Sequence, residues 1–210
     1  MSDKNNQSYT RLSYWLRQNE PVVGRAELKL LDAVKGFNFD FKDKTVLDIG
    51  SSTGGFTELA LRMGAKKVIA VEKGTNQMKF PLRANPKVEL HEKTDFFKIN
   101  RSTIGDVDVV LADVSFVSLK KVLAYARFQI INEKADFLVM LKPQFEAAPQ
   151  QLNRGIVKNE TIRREIIKNF ENWLRQKGFA IIKKQDNKII GKYGNVERFY
   201  WLKLSNFGHC

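Results

Sequence analysis

The chain has 210 residues, with 36 Lys and Arg against 23 Asp and Glu and a formal net charge of +13. That length fits one domain, or one domain with a short appendage. Hydrophobic residues at 43% and charged residues at 28% exclude a fibrous or largely disordered chain. A single Cys, Cys210, allows no internal disulfide, and with only His91 and His209 beside it no thiolate or imidazole metal cage is expected. The opening MSDKNNQSYT has no apolar signal core, and apolar runs such as Phe137 to Leu141 are too short to span a bilayer. A soluble, cytoplasmic protein without a membrane partner is expected. The charge points to a polyanionic partner, and it is graded: residues 1–44, 45–157 and 158–210 carry +2, +4 and +7.

In chain order, Tyr9 to Leu16 and Glu27 to Val34 have helical period, and GFNFDFKDK (36–44) reads as a loop. Forty-four residues are marginal for an independent core, so residues 1–44 are expected to be a helical extension that packs on the main domain, 45–210, and completes its site. From there, strand-length apolar runs alternate with helical stretches. The expected strands are Thr45 to Ile49, Lys67 to Glu72, Val88 to His91, Val107 to Ala112, Ala135 to Leu141, Phe179 to Lys184 and Arg198 to Leu204. Between them, Phe56, Leu59, Ala60 and Met63 share one helical face, closed by Gly64, and Leu119, Val122, Leu123 and Ala126 share another. The longest helix is expected from Thr161 to Lys177, with Ile162, Ile166, Phe170 and Leu174 inward and its basic residues on a solvated face. This is the pattern of a doubly wound α/β fold, a seven-stranded and mostly parallel sheet with helices on both faces.

The strongest local signal is VLDIGSSTGGF (Val46 to Phe56): a strand, a glycine-rich turn, then a helix. Gly50, Gly54 and Gly55 permit a tight reversal and close approach of backbone to a ligand. A phosphate-binding loop would need Lys where Phe56 stands, and a nicotinamide site would want glycine where Ser52 stands. Asp48, at the end of the strand, repels a pyrophosphate and favours a cationic ligand. S-adenosylmethionine, with a positive amino group and sulfonium and no phosphate, fits this turn. Glu72, at the end of the second strand, is placed to accept hydrogen bonds from ribose hydroxyls, the competing reading being a surface pair with Lys73. Asp95 is the candidate for the adenine amino group. Asp113 in ADVSF and Lys142 in LKPQFE end the fourth and fifth strands and face the same crevice. DVSF stands where enzymes that methylate base amino groups carry Asn/Asp-Pro-Pro-aromatic, which disfavours that acceptor.

These segments resemble the TlyA (haemolysin A-like) branch of the FtsJ/RrmJ-type ribose 2′-O-methyltransferases. The resemblance runs from about Val22 to Leu204 through GRAELKL (24–30), LDIGSSTGGFT, ADVSFVSL, LKPQFE, GIV (155–157) and GNVERF (194–199). It implies a Rossmann-like, class I S-adenosylmethionine-dependent methyltransferase fold, a cofactor site of Asp48, Gly50, Ser52, Gly54, Gly55, Phe56, Glu72, Asp95 and Asp113, and a catalytic tetrad of Lys29, Asp113, Lys142 and Glu197. It differs from the branch in two respects. The residues before Pro21 are too few for the branch's S4-type RNA-binding domain, and the family's SRGGLKL reads VGRAELKL here. RNA recognition is therefore expected from the basic surface or from a protein partner.

The implied reaction is methyl transfer to a ribose 2′-hydroxyl of RNA, ribosomal RNA foremost and transfer RNA as the alternative. A hydroxyl is a poor nucleophile, so the site needs a base and must hold the oxygen in line with the methyl group. Lys142 is the expected base, with burial and Lys29 as a nearby cation making it readier to give up its proton, and Asp113 and Glu197 orienting the lysines and the ribose. A non-catalytic RNA-binding or ribosome-assembly factor on the same fold is the competing class. A membrane-active protein would need an amphipathic Trp/Lys helix or a long apolar segment, neither of which the sequence offers.

Overall fold

A computed structural model describes residues 24–131, 134–191 and 194–205. The helix expected over Tyr9 to Leu16 lies outside the described residues. The described chain begins with helix α1 (Arg25–Phe37) and enters strand β1 (Thr45–Ile49), helix α2 (Gly55–Arg62), strand β2 (Lys67–Val71), the short helix α3 (Phe80–Arg83) and strand β3 (Val88–His91). It continues through α4 (Arg101–Ile104), β4 (Val109–Ala112), α5 (Leu119–Tyr125) and β5 (Asp136–Leu141). A hairpin of two-residue strands, β6 (Leu152–Asn153) and β7 (Ile156–Val157), precedes the long helix α6 (Glu160–Gln176) and the outer strands β8 (Phe179–Asp186) and β9 (Arg198–Leu204).

The main sheet has seven strands in the order β3-β2-β1-β4-β5-β9-β8. The first five are parallel, and β9 runs antiparallel between β5 and β8. Side chains of the central strands alternate between two cores with the two-residue period of a pleated sheet. Leu47, Ile49, Val110, Ala112, Phe137, Val139 and Leu141 enter the core under α5 and α6. Val46, Val109, Leu111, Leu138 and Met140 enter the core under α1 and α2. Both faces are covered, which is why these strands read as continuous apolar runs.

The stretch before β1 differs from the expected simple loop. Gly36 and Phe37 belong to α1, and Phe39 and Phe41 are buried in the core under α1 and α2, edge-on to one another with ring centres 5.0 Å apart. The expected solvated face of α6 needs a correction at Arg163, which is buried and pairs with Asp186. A charge there is tolerated because the Asp186 carboxylate on β8 meets it. Asn159 caps the same helix by accepting the Ile162 amide at 2.9 Å.

Helix α1 docks across α2 and reaches the outer strands. Glu27 is fully buried and ion-paired with Arg62 of α2, Lys183 of β8 donates to the Phe37 carbonyl at 2.7 Å, and Asp32 meets Lys188 at 2.7 Å. Gly55 permits this approach: a Cβ there would stand 3.0 Å from the Glu27 amide nitrogen and 3.2 Å from the Ala26 Cβ. Gly55→Val is expected to force α1 outward and destabilise the fold by about 1–3 kcal/mol, the usual range for overpacking, as read by urea unfolding.

Candidate active site

The strand order reverses between β1 and β4, and in sheets of this kind the crevice above the carboxyl ends at such a switch point receives the ligand. Beyond β1 the chain turns sharply, with φ of 80° at Gly50, 48° at Ser52 and 95° at Gly54. A Cβ at Gly50 would lie 3.2 Å from the Asp113 carbonyl oxygen, so a side chain there would wedge the exits of β1 and β4 apart. The left-handed Ser52 is held by Glu72, whose Oε2 accepts the Ser52 amide at 2.9 Å while its Oε1 accepts the Gly74 amide at 2.6 Å. Lys73 pairs with Asp95 instead, at 3.8 Å, and Asp95 also accepts the Phe97 amide at 3.1 Å. Gly54 caps α2 facing Leu82, where any Cβ would collide. The Phe56 ring is a core group, 2% exposed and 6.0 Å from the Phe199 ring, so only its main chain is left to meet a ligand.

Asp48 lies fully buried beneath this turn, with Thr57 donating to its Oδ2 at 2.7 Å. Burial pushes the Asp48 carboxyl up to about 7. The Thr57 hydrogen bonds oppose the rise, and the negative charges of Asp113 and Glu72 add to it. Its Oδ1 has no hydrogen-bond partner, nor do the buried Ser51 Oγ and Gln144 Oε1. These atoms lie at or just beyond the carboxyl ends of β1 and β5. Buried polar atoms without partners are costly in a folded protein, so their concentration here marks a surface shaped to be completed by a ligand. The donor set fits S-adenosylmethionine: unpartnered acceptors suit an ammonium group, and a glycine turn without a lysine suits a ligand without phosphate.

The residues expected to carry the chemistry form two ion pairs. Pairing of β5 with β9 sets Leu141 opposite Arg198, so Lys142 and Glu197 leave the sheet at the same level. Pairing of β1 with β4 sets Ile49 opposite Ala112, so Asp113 exits beside Gly50. Lys142 Nζ lies 2.7 Å from Asp113 Oδ1 and donates to Ser115 Oγ at 2.8 Å. Lys29 Nζ, from the second turn of α1, donates to Glu197 Oε2 at 2.5 Å, and both residues are buried. Each lysine is thus matched to a carboxylate, where the sequence reading has the two carboxylates orienting the lysines and Lys29 standing as a cation near Lys142. Glu197 sits in a pinned segment: its carbonyl accepts the Asn187 amide at 2.8 Å, and Arg163 Nε donates to the Val196 carbonyl at 3.2 Å. Asn195 bridges the Gly155 carbonyl and the Val157 amide at 3.1 and 3.0 Å, which joins the GIV and GNVERF motifs physically.

Several participants escaped the sequence reading. Glu146 accepts Ser118 Oγ at 2.8 Å and the Leu119 amide at 2.6 Å, tying the loop after β5 to the loop after β4. Burial raises its carboxyl above the usual range, against those hydrogen bonds. Phe116 is 92% exposed at φ 63°, a conformation rare for an aromatic residue, and its ring stands 5.3 Å from that of Phe145, beside Lys142. Both phenylalanines stand inside motifs that were read for their charged members, and an aromatic residue in a loop directly after a strand end was the available signal.

A model of the FtsJ-like methyltransferases matches residues 22–204. The chain is 35% identical over 187 residues to the 23S rRNA (cytidine-2′-O)-methyltransferase TlyA of Campylobacter jejuni, across 87% of this chain and 71% of that one. It is 36% identical over 178 residues to YqxC of Bacillus subtilis, across 83% of this chain and 63% of that one. A solved structure from Streptococcus thermophilus, described as a hemolysin, superposes with a TM-score of 0.85 at 32% identity, covering 90% of this chain and 70% of that one.

The buried Asp48 yields a pH prediction. Its carboxyl titrates near 7 in the fold against about 3.9 in an unfolded chain. Between those values the folded state holds the extra proton, so stability falls as pH rises from about 4 to about 7 and stays reduced above that. Asp48→Asn removes this titration. In urea unfolding the variant is expected to be the more stable protein at pH 8, with an advantage that shrinks toward pH 4, and a difference independent of pH would contradict the assignment.

Proposed function

This chain belongs to the FtsJ-like methyltransferase family, and from that membership we propose that it moves a methyl group from S-adenosylmethionine to a ribose 2′-hydroxyl of RNA, ribosomal RNA foremost. The observation that carries the reading is a pair of lysine–carboxylate ion pairs rooted at the neighbouring ends of β5 and β9, with unpartnered buried acceptors at the ends of β1 and β5. The residues up to 44 that the structure describes act as an extension completing the site, since α1 brings Lys29 to a carboxylate of the transferase domain.

When bound, the cofactor supplies an electrophilic methyl group on a positively charged sulfur. Asp48 offers a free carboxylate oxygen to its cationic part, with Asp113 beside it at the exit of β4, and the chain from Gly50 through Ser52, Gly54 and Gly55 to the Phe56 main chain gives it a close-fitting floor. Glu72 is already oriented by two amides, leaving its remaining lone pairs for ribose hydroxyls, and Asp95 serves the adenine amino group. Once its ammonium has released a proton to solvent, the neutral Lys142 amine accepts the proton of the target hydroxyl, with Ser115 and Asp113 fixing the position of its Nζ. Lys29 and Glu197, held rigid by burial, keep the hydroxyl in line. The exposed Phe116 ring, with the half-buried Phe145 ring against it beside Lys142, offers a surface on which a nucleobase can stack and keep water from the reacting oxygen.

Two measurements test this. In calorimetry the protein should bind S-adenosylmethionine, and Asp48→Asn should weaken binding by about 1–3 kcal/mol, the range for a lost hydrogen bond to a charged group. Absence of heat with the wild-type protein would contradict the cofactor assignment. Lys142→Arg keeps the positive charge and removes the proton acceptor, because arginine does not deprotonate in this pH range. Single-turnover transfer of labelled methyl to RNA should then fall by about 10²–10⁴, the usual contribution of a general base, while cofactor and RNA binding persist. Activity within a few-fold of wild type would reduce Lys142 to an electrostatic clamp.

A further inference from the structure

The far edge of the sheet carries a feature that the reaction centre does not use. Helix α6 and the outer strands β8 and β9 enclose an open groove of about 550 Å³. Its cations are Arg163, Arg164, Lys168, Arg175, Lys184 and Arg198, and its carboxylates are Glu160, Glu171 and Asp186. The floor is a closed network. Arg163 and Arg198 both donate to Asp186 Oδ1, at 2.5 and 2.6 Å, and Lys184 donates to both oxygens of Glu171, at 2.8 and 2.7 Å. The Tyr200 hydroxyl completes Glu171 at 3.0 Å.

Because the floor consumes Glu171 and Asp186, the surplus charge sits on the outer wall. Lys168 and Arg175 have no carboxylate partner among the described residues, and Arg164, with its side chain 79% exposed, has only a 3.4 Å contact with Glu160. At 100° per residue, positions 164, 168 and 175 fall within one narrow stripe of α6. At 1.5 Å rise per residue the stripe is roughly 16 Å long. One end of the groove adjoins the reaction centre: Arg163 holds the Val196 carbonyl and Arg198 holds Asp186, so the floor anchors both chain neighbours of Glu197.

We propose that this groove is the track for the phosphate backbone of the RNA strand leading away from the target ribose, a placement that rests on the functional reading above. Three features favour a nucleic-acid strand. Arg164, Lys168 and Arg175 form a line along the groove rather than a cluster, as a regularly spaced chain of phosphates requires. Guanidinium groups supply two of the three, and these suit phosphate oxygens. The line starts where a substrate strand must already be held.

The test is a comparison of two charge-matched triple variants of the full chain. One is Arg164→Glu, Lys168→Glu and Arg175→Glu. The other is Lys42→Glu, Lys66→Glu and Lys87→Glu, exposed lysines that precede β1, β2 and β3 on the opposite rim of the sheet. Binding of a labelled single-stranded RNA is followed by fluorescence anisotropy across a salt series, and methyl transfer to ribosomal RNA is followed for KM and kcat. The groove variant should lose about two units of the log–log salt slope, at about 0.7 per single-strand phosphate contact. Its KM for RNA should rise by about tenfold or more, with a smaller change in kcat, and the rim variant should behave as wild type.

Unchanged KM and salt slope in the groove variant would overturn the proposal and leave the stripe as a solvated face or a protein contact, and equal weakening in both variants would overturn it as a non-specific charge effect. The two readings fail separately. Wild-type protein that binds RNA through the groove but leaves it unmethylated contradicts the enzyme and keeps the track, whereas RNA methylated equally well by wild type and groove variant contradicts the track alone.

Discussion

Lys29 and Glu197 are 168 residues apart in the chain and 2.5 Å apart in space, and both are buried. Removing one partner of such a pair leaves an uncompensated buried charge, which costs about 3–5 kcal/mol, so the first described helix and the last strand are bound to a single geometry. Much of the surrounding structure serves that geometry. Helix α1 is held on α2 by Glu27 and Arg62 and on the outer strands by Asp32, Lys188 and Lys183. From the other side, Asn195, Arg163 and Asn187 hold the segment through Glu197. A long crossover and an antiparallel strand inserted between β5 and β8 thereby present an acid and a base group to one point above the sheet.

The crest around that point is costly by the standards of a fold built only for stability. Asp48 is buried with one oxygen unpartnered, and Phe116 combines a left-handed backbone with an exposed ring. Local strain of this kind is worth about 1–3 kcal/mol per residue and persists where the surroundings over-determine it. Here the over-determination is visible, since Glu146 ties the Phe116 loop to the Lys142 loop through Ser118 and the Leu119 amide.

The central sheet was readable because its strands are buried on both faces and announce themselves as apolar runs; Thr45–Ile49, Val88–His91 and Arg198–Leu204 agree with expectation at both ends. The β6–β7 hairpin was not, because two residues per strand carry no period, and what holds it is the distant Asn195. The same limit applies to the site. Lys29, Asp113, Lys142 and Glu197 were legible by motif, but their division into two ion pairs depends on the register between β5 and β9, which no local pattern encodes. Arg163 was misread as a surface charge because its partner Asp186 lies 23 residues away on another element. Gly54, Gly55 and the Phe56 ring read as ligand contacts, yet side-chain room for Leu82, α1 and Phe199 explains their identities at least as well.

That Lys29 and Glu197 act as one unit in methyl transfer can be tested most directly by a double-mutant cycle. Lys29→Met, Glu197→Gln and the double variant would be compared by single-turnover transfer at saturating cofactor and RNA, with unfolding free energies measured alongside. Residues that act together are strongly non-additive. The double variant should therefore be no slower than the worse single variant, and more stable than the sum of the two single losses implies. Rate losses that multiply, or single variants that react at the wild-type rate, would contradict the account.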